Sequence, residues 1–227
     1  GSNFILVNAE DPQSQVRFVW RWQVDQEQAQ ALDSNVIGLL SDSDQAIAVA
    51  GNDAYCIAKS NGISCFGTLR EHQTDTRTSL MFPATGGPVP RLPPIYANPS
   101  VVCGQKHCCS WLREGSGTRE AYCWGDNTRN QSGSSNRFAT EAQNISLPGD
   151  VLKIALGELH SCALVNQGLG SRAYCWGDNT NGKLGINSAS PIFYERPRND
   201  RAVSSESFPI SEQRLSNLFA GRHHTCA

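Results

Sequence analysis

Three histidines stand in one local setting. Gly104-Gln105-Lys106-His107-Cys108-Cys109, Gly157-Glu158-Leu159-His160-Ser161-Cys162 and Gly221-Arg222-His223-His224-Thr225-Cys226 all read Gly-x-x-His-x-Cys. Imidazole is the commonest metal ligand, so this row is the first candidate for chemistry. A second candidate occurs twice, as Asp126-Asn127 and Asp178-Asn179. No carboxylate accompanies each His at ligand spacing, which weighs against a metal. Asp and Asn directly after a Gly are turn formers whose side chains bond their own backbone, so these pairs read as turns before they read as acids. No Ser-His-Asp arrangement, phosphate loop, zinc-hydrolase helix or dinucleotide fingerprint is present. The expectation is a chain without catalytic residues, metal or cofactor.

The elements that position these residues are repeated. Ala121-Tyr122-Cys123-Trp124-Gly125-Asp126-Asn127-Thr128 recurs as Ala173-Tyr174-Cys175-Trp176-Gly177-Asp178-Asn179-Thr180, a spacing of 52. A degenerate anchor, Gly51-Asn52-Asp53-Ala54-Tyr55-Cys56, has Ala54 where the others have His. The anchor glycines Gly51, Gly104, Gly157 and Gly221 lie 53, 53 and 64 residues apart. A period near 50 indicates a propeller or solenoid. The units begin near residues 46, 99 and 152, with a truncated one near 216. Residues 1–45 form an N-terminal strand-containing segment, read as part of a preceding blade.

Short apolar runs precede the anchors: Ala46 to Ala50, Val101-Val102, Ile154 to Leu156 and Leu218 to Ala220. Bounded by Gly, Asn, Asp and Ser, they read as strands. Between the paired cysteines the chain reads as a hairpin, with Lys59-Ser60-Asn61-Gly62 as the strongest turn signal. Upstream, Val16, Phe18, Trp20, Trp22 and Val24 alternate with other residues as in a half-buried strand. Asp25 to Leu40 reads as weakly helical.

Gly-x-x-His-x-Cys-Ala-Leu followed by Tyr-Cys-Trp-Gly-Asp-Asn-x-x-Gly-x-Leu-Gly resembles the repeat of the regulator of chromosome condensation superfamily, over roughly residues 46–227. The match is best from Gly157 to Gly185. It departs at Asn130-Gln131-Ser132-Gly133 in the second unit, and the first unit lacks the phrase after Phe66-Gly67. The cysteine-bearing version is similar to secreted bacterial members and plant crinkly-type receptor ectodomains. The resemblance implies an all-β fold: a β-propeller, or part of a seven-bladed one, of four-stranded antiparallel blades. In such a fold His107, His160 and His224 become hydrogen-bonded core residues linking neighbouring blades. Trp124 and Trp176 pack between blades, burying about 150–250 Å² each.

Nine cysteines fall mostly into pairs within units: Cys56/Cys65, Cys109/Cys123 and Cys162/Cys175. Cysteines on adjacent strands satisfy disulfide geometry. Each such bridge adds about 2–4 kcal/mol. Buried free thiols are the alternative. Because the two positions appear together in all three complete units, bridging is the better reading, and bridges belong to oxidising compartments. Cys108 points to the opposite face of its strand from Cys109 and is expected to pair with Cys103 through a bend at Gly104. Cys226 is left over. The sequons Asn130-Gln131-Ser132 and Asn144-Ile145-Ser146 add two glycosylation sites to an extracellular or cell-surface reading.

The chain of 227 residues has 18% charged residues and a net charge of −2, which gives no electrostatic case for nucleic acid or anionic membrane. No apolar run is long enough to span a bilayer. What differs between units is the Pro-rich Thr68–Ser100 and the stretch Asn187–Ser216, with Tyr194, Arg196 and Arg198. Insertions in repeat arrays emerge on one face, often the binding face, and aromatic and Arg residues are the usual anchors there. The sequence therefore predicts a non-enzymatic extracellular module for a protein or glycan partner, with a structural role and a place in a larger assembly. The alternative is a secreted enzyme inhibitor of propeller type. A nucleotide-exchange factor ranks lower, since the cytosol keeps thiols reduced.

Overall fold

Alternation of apolar and polar residues, interrupted every few residues by Gly, Asn, Asp or Pro, favours strands over helices. The described residues fold almost entirely as antiparallel strands. The computed structural model describes residues 4–10, 17–23, 30–31, 46–50, 54–59, 62–70, 79–93, 99–112, 120–168, 170–184 and 215–227. Within them, the only helical element is a single 3-10 turn at Thr180–Gly182. None of the described helices is long and apolar enough to cross a membrane.

An N-terminal sheet has the order β1 (Phe4–Glu10), β2 (Arg17–Gln23), β3 (Gln30–Ala31). β2 is the strand that the Trp20/Trp22 alternation predicts. β3 corrects the helical expectation where it can be checked: Gln30 and Ala31 pair with Arg21 and Trp20. Gln, Glu and Ala are good helix formers, but propensity is a weak prior that tertiary pairing overrides.

Four blades follow. The first is β4 (Ala46–Ala50), β5 (Ala54–Lys59), β6 (Gly62–Arg70) and β7 (Ser79–Pro88), each paired with the next. The second is β8 (Pro99–Cys103), β9 (His107–Leu112), β10 (Glu120–Asp126) and β11 (Phe138–Ser146). The third shows β12 (Asp150–Leu156), β13 (His160–Asn166) and β14 (Ser171–Gly177). The fourth shows β15 (Phe219–Ala220) and β16 (Thr225–Cys226). The first two are four-stranded antiparallel sheets, as the repeat predicts.

Successive blades bury their facing surfaces in shared cores. Ala54, Cys56, Cys65, Cys108, Tyr122 and Trp124 belong to the core between the first and second blades. Cys109, Ala121, Cys123, Ile154, Val165 and Trp176 belong to the next. In the second and third blades the second strand has neighbours on both faces, so His107 to Trp111 and His160 to Val165 are buried throughout. At the Cys-aromatic-Gly triplet the ladder to the outer strand shifts register in the first two blades, between Cys65 and Gly67 and between Cys123 and Gly125. Phe66 and Trp124 stay paired with Tyr55 and Cys108, so the extra residues lie on the outer strands, 83–86 opposite Phe66 and 140–142 opposite Trp124.

The Pro-rich stretch Thr68–Ser100 is less of a free loop than its composition suggests. Ser79–Pro88 is the outer strand of the first blade. The turn after it packs on the second blade, where the Ala142 amide donates to the Pro90 carbonyl at 2.8 Å and Arg91 pairs with Glu141 at 2.9 Å.

Candidate functional site

The anchor is a tight reversal between the first and second strands of a blade. The Gly104, Gly157 and Gly221 amides donate to the carbonyls of His107, His160 and His224 at 2.8, 2.9 and 2.9 Å. Each His ring folds back over its own glycine: a Cβ on Gly157 or Gly221 would overlap the His160 or His224 ring, and one on Gly104 would strike the Gly157 carbonyl of the next blade. The repeated phrase closes the same turn from the other side. Gly125 and Gly177 both have φ of +99°, and the amides of Asp126 and Asp178 bond the carbonyls of Lys106 and Leu159 at 2.9 Å.

From this turn His107 and His160 reach across to the following blade. His107 Nε2 lies 3.0 Å from Ser161 Oγ, and His160 Nε2 lies 2.9 Å from Thr225 Oγ1. The Ser161 hydroxyl has one proton and donates it to the Gln131 carbonyl at 2.8 Å. His107 must then be the donor, so its proton sits on Nε2 and Nδ1 is bare. That nitrogen is buried without a partner, as is His160 Nδ1. Both rings are fully buried, and desolvation pushes His107 down to about 3, with His160 a lesser cause, and His160 down to about 4, with Lys183 a lesser cause. Both are neutral at physiological pH.

A Ser beside a His invites comparison with a nucleophile and its base. Three features argue against that role. The serine proton points at a carbonyl and away from the imidazole, no carboxylate orients Nδ1, and neither side chain has solvent exposure. The contact is an inter-blade latch. Sequence reasoning missed Ser161 and Thr225 because it treated the residue between His and Cys as variable. The signal was present: both anchors that follow a histidine-bearing unit have a hydroxyl there. The anchor that follows Ala54 has Cys108.

The Asp-Asn pairs build the turn, as their position predicts. The Thr128 and Thr180 amides donate to Oδ1 of Asp126 and Asp178 at 2.9 and 3.1 Å. Asn127 Nδ2 donates to the carbonyls of Ser134 and Asn136, and its Oδ1 accepts from the Ser132 amide. Asn179 Oδ1 accepts from Leu184. Asp178 forms a buried ion pair with Lys183 at 2.6 Å. Burial opposes its ionisation, but the bonds from Lys183 and Thr180 outweigh it and hold the carboxyl below its ordinary range. Gln131, carried on this turn, has a carbonyl that accepts from both Ser161 and Trp176 Nε1, the latter at 2.9 Å. Trp124 and Trp176 are both 0% exposed. Trp124 Nε1 is buried without a partner, and the first blade lacks the Asp-Asn phrase that carries Gln131.

Four bridges close within blades: Cys56–Cys65, Cys103–Cys108, Cys109–Cys123 and Cys162–Cys175. In every case the two cysteines face each other directly in register. Cys226 is a free, exposed thiol. Beside it, Ala173, Cys175, Lys183, Leu218, His224 and Thr225 line a cavity of about 150 Å³. Asn144 and Ser146 are exposed on β11, whereas Asn130 is half-buried with φ of +62° and its sequon serine, Ser132, is buried. Tyr194, Arg196 and Arg198 lie outside the described residues.

Residues 151–183 match the regulator of chromosome condensation repeat. The chain thus carries a repeat of that kind within an almost all-β, propeller-like fold. Prp20p of Saccharomyces cerevisiae, known from a crystal structure, is similar in fold at a TM-score of 0.62 and 21% identity, over 86% of this chain and 48% of that one. Human WBSCR16 is similar at 0.58 and 18%, over 92% and 52%. The crinkly ectodomain of the Arabidopsis thaliana receptor kinase ACR4 is matched at 0.45 and 14%, over 92% and 51%. The chain spans about half the length of these structures. No curated protein sequence matches it.

Proposed function

We propose that the chain is a non-enzymatic, extracellular propeller module that binds a protein partner through its inter-unit loops. The observation that carries this reading is where the repeated polar residues spend their bonding capacity. His107, His160, Ser161, Asp178, Asn127 and Asn179 are all buried and engaged in turns or blade-to-blade contacts. Scaffold residues committed in this way leave recognition to the segments that differ between units, Asn187–Ser216 above all. Four bridges in one chain support an oxidising compartment. Exposed Asn144 supports glycosylation there. Prp20p, whose binding to Gsp1p and histones has been characterised, is a precedent for protein recognition by this fold. The bridges favour a secreted partner over a cytosolic one.

The test is a binding screen of the full chain against a panel of secreted proteins and cell-surface ectodomains, followed by variants. Replacing Tyr194, Arg196 and Arg198 together with Ala should abolish binding and change stability by less than about 0.5 kcal/mol per site. Trp176→Ala should lose about 3–5 kcal/mol of stability. Unchanged binding by the loop variant, with loss on His107→Gln or His160→Gln in a folded protein, would contradict the proposal.

A further inference from the structure

We propose that the seam between the first and second blades is a thiol–disulfide exchange site, formed by the Cys103–Cys108 and Cys56–Cys65 bridges, whose substrate is an external thiolate. The Sγ atoms of Cys56, Cys103 and Cys108 all lie within 4.8 Å of one another. Among the described residues no other trio of Cys, His, Asp or Glu ligand atoms is so close. Two bridges from neighbouring blades therefore touch.

The repeat shows that this pair is an addition. In the third blade the positions of Cys103 and Cys108 are taken by Leu156 and Ser161, and Ser161 receives the histidine of the preceding blade. The first blade has Ala54 in place of that histidine, so the latch is missing at this seam. Sulfur fills the space. Cys108 faces the first blade, while its neighbour Cys109 belongs to the next core.

Accessibility gives the chemistry a direction. Cys56, Cys65 and Cys108 are at most 1% exposed, and Cys103 is half-buried. An incoming thiolate meets Cys103 Sγ first. It forms a mixed disulfide there and breaks Cys103–Cys108, and Cys108 leaves with the electron pair. Apolar surroundings disfavour a buried thiolate and leave it strongly nucleophilic. Cys108 then attacks Cys56 Sγ, the S–S bond to Cys65 breaks, and Cys65 takes up the proton that the external thiol released. The products are a mixed disulfide at Cys103, a free Cys65 thiol and a Cys56–Cys108 bridge that ties the two blades covalently. No oxidant or reductant is consumed.

The experiment uses the full oxidised chain carrying Cys226→Ser, so that added glutathione is the only thiol. After brief exposure to limiting glutathione and alkylation, peptides are mapped without reduction. The expected species has glutathione on Cys103, alkyl on Cys65 and a Cys56–Cys108 link, with Cys109–Cys123 and Cys162–Cys175 intact. Modification of both Cys103 and Cys108 with Cys56–Cys65 intact overturns the proposal, as does a lack of reaction at Cys103. In Cys103→Ser, combined with Cys226→Ser, alkylation should fall on Cys65 at least as strongly as on Cys108. Label on Cys108 alone overturns the second step.

Discussion

His107 and Ser161 belong to different repeats, yet their side chains meet at 3.0 Å with both residues fully buried. His160 and Thr225 repeat the contact one unit on, at 2.9 Å. Because Ser161 passes its proton to Gln131, the imidazole is the donor, and the loss of either partner has a different consequence.

Ser161→Ala strands the His107 Nε2–H in a buried site and should cost about 1–3 kcal/mol. His107→Ala removes a buried ring and should cost at least as much. A double-mutant cycle by chemical denaturation should return a coupling energy on the order of 1 kcal/mol. Additive effects would mean that the latch contributes nothing to stability.

Acid should weaken the fold before the carboxylates titrate. The buried histidines have folded values of about 3 and about 4 against an ordinary value of 6.5, so the unfolded chain binds more protons below pH 6.5. Stability contributed by keeping them neutral is full above pH 6.5 and falls as pH drops from there toward those folded values. The slope is about 1.4 kcal/mol per pH unit for each histidine. Glu158, held low by its Arg222 bonds, adds a loss in the same direction only at lower pH. Denaturation midpoints measured from pH 7.5 to 4.5 should decline, and a His107→Gln, His160→Gln variant should decline much less over that range.

The anchor glycine is required by contact, the phrase glycine by contact and conformation. Gly157→Ala drives a methyl group into the His160 ring, and such overpacking typically costs about 1–3 kcal/mol. Gly177→Ala combines a φ of +99° with a Cβ 2.7 Å from the Leu159 carbonyl. Gly168→Ala meets nothing within 4 Å and has only its φ of +86° to oppose it. Thermal melts should place Gly168→Ala well above the other two.

Cys226 stands where Cys109 and Cys162 stand, and those are each bridged to the strand opposite. The adjoining cavity is bordered by Lys183, the counterpart of Gln131 beneath Trp176. A synthetic Ala-Tyr-Cys-Trp-Gly-Asp peptide, supplied as its symmetrical disulfide, should therefore exchange with the Cys226 thiolate, giving a mixed disulfide at Cys226 and one released peptide thiol, and blue-shift the tryptophan emission of the bound peptide. The same peptide with Trp replaced by Ala should react more slowly. Equal rates would show that the cavity does not recognise the indole.

Much of this architecture was legible because a repeat reports the same geometry several times. The Cys-to-Cys hairpins, the burial of Trp124 and Trp176 and the turn role of Asp126 and Asp178 all follow from local sequence. What was not legible depends on neighbours. Gln131 acts through its backbone carbonyl, which leaves no trace in residue type. Ser161 answers a histidine 54 positions away, and only comparison of Ala54/Cys108 with His107/Ser161 and His160/Thr225 reveals the pairing. The Pro-rich stretch misled for a related reason: Pro is tolerated on an edge strand, so Ser79–Pro88 can close a blade while reading as a loop.

The central claim, a disulfide-stapled propeller module that works outside the reducing cytosol, is tested most directly by sulfur. Cells that make the protein are lysed into alkylating reagent, and the isolated chain is mapped without reduction. The account predicts closed Cys56–Cys65, Cys103–Cys108, Cys109–Cys123 and Cys162–Cys175 bridges. Alkylated thiols at Cys109, Cys123, Cys162 and Cys175 in otherwise folded protein would contradict it.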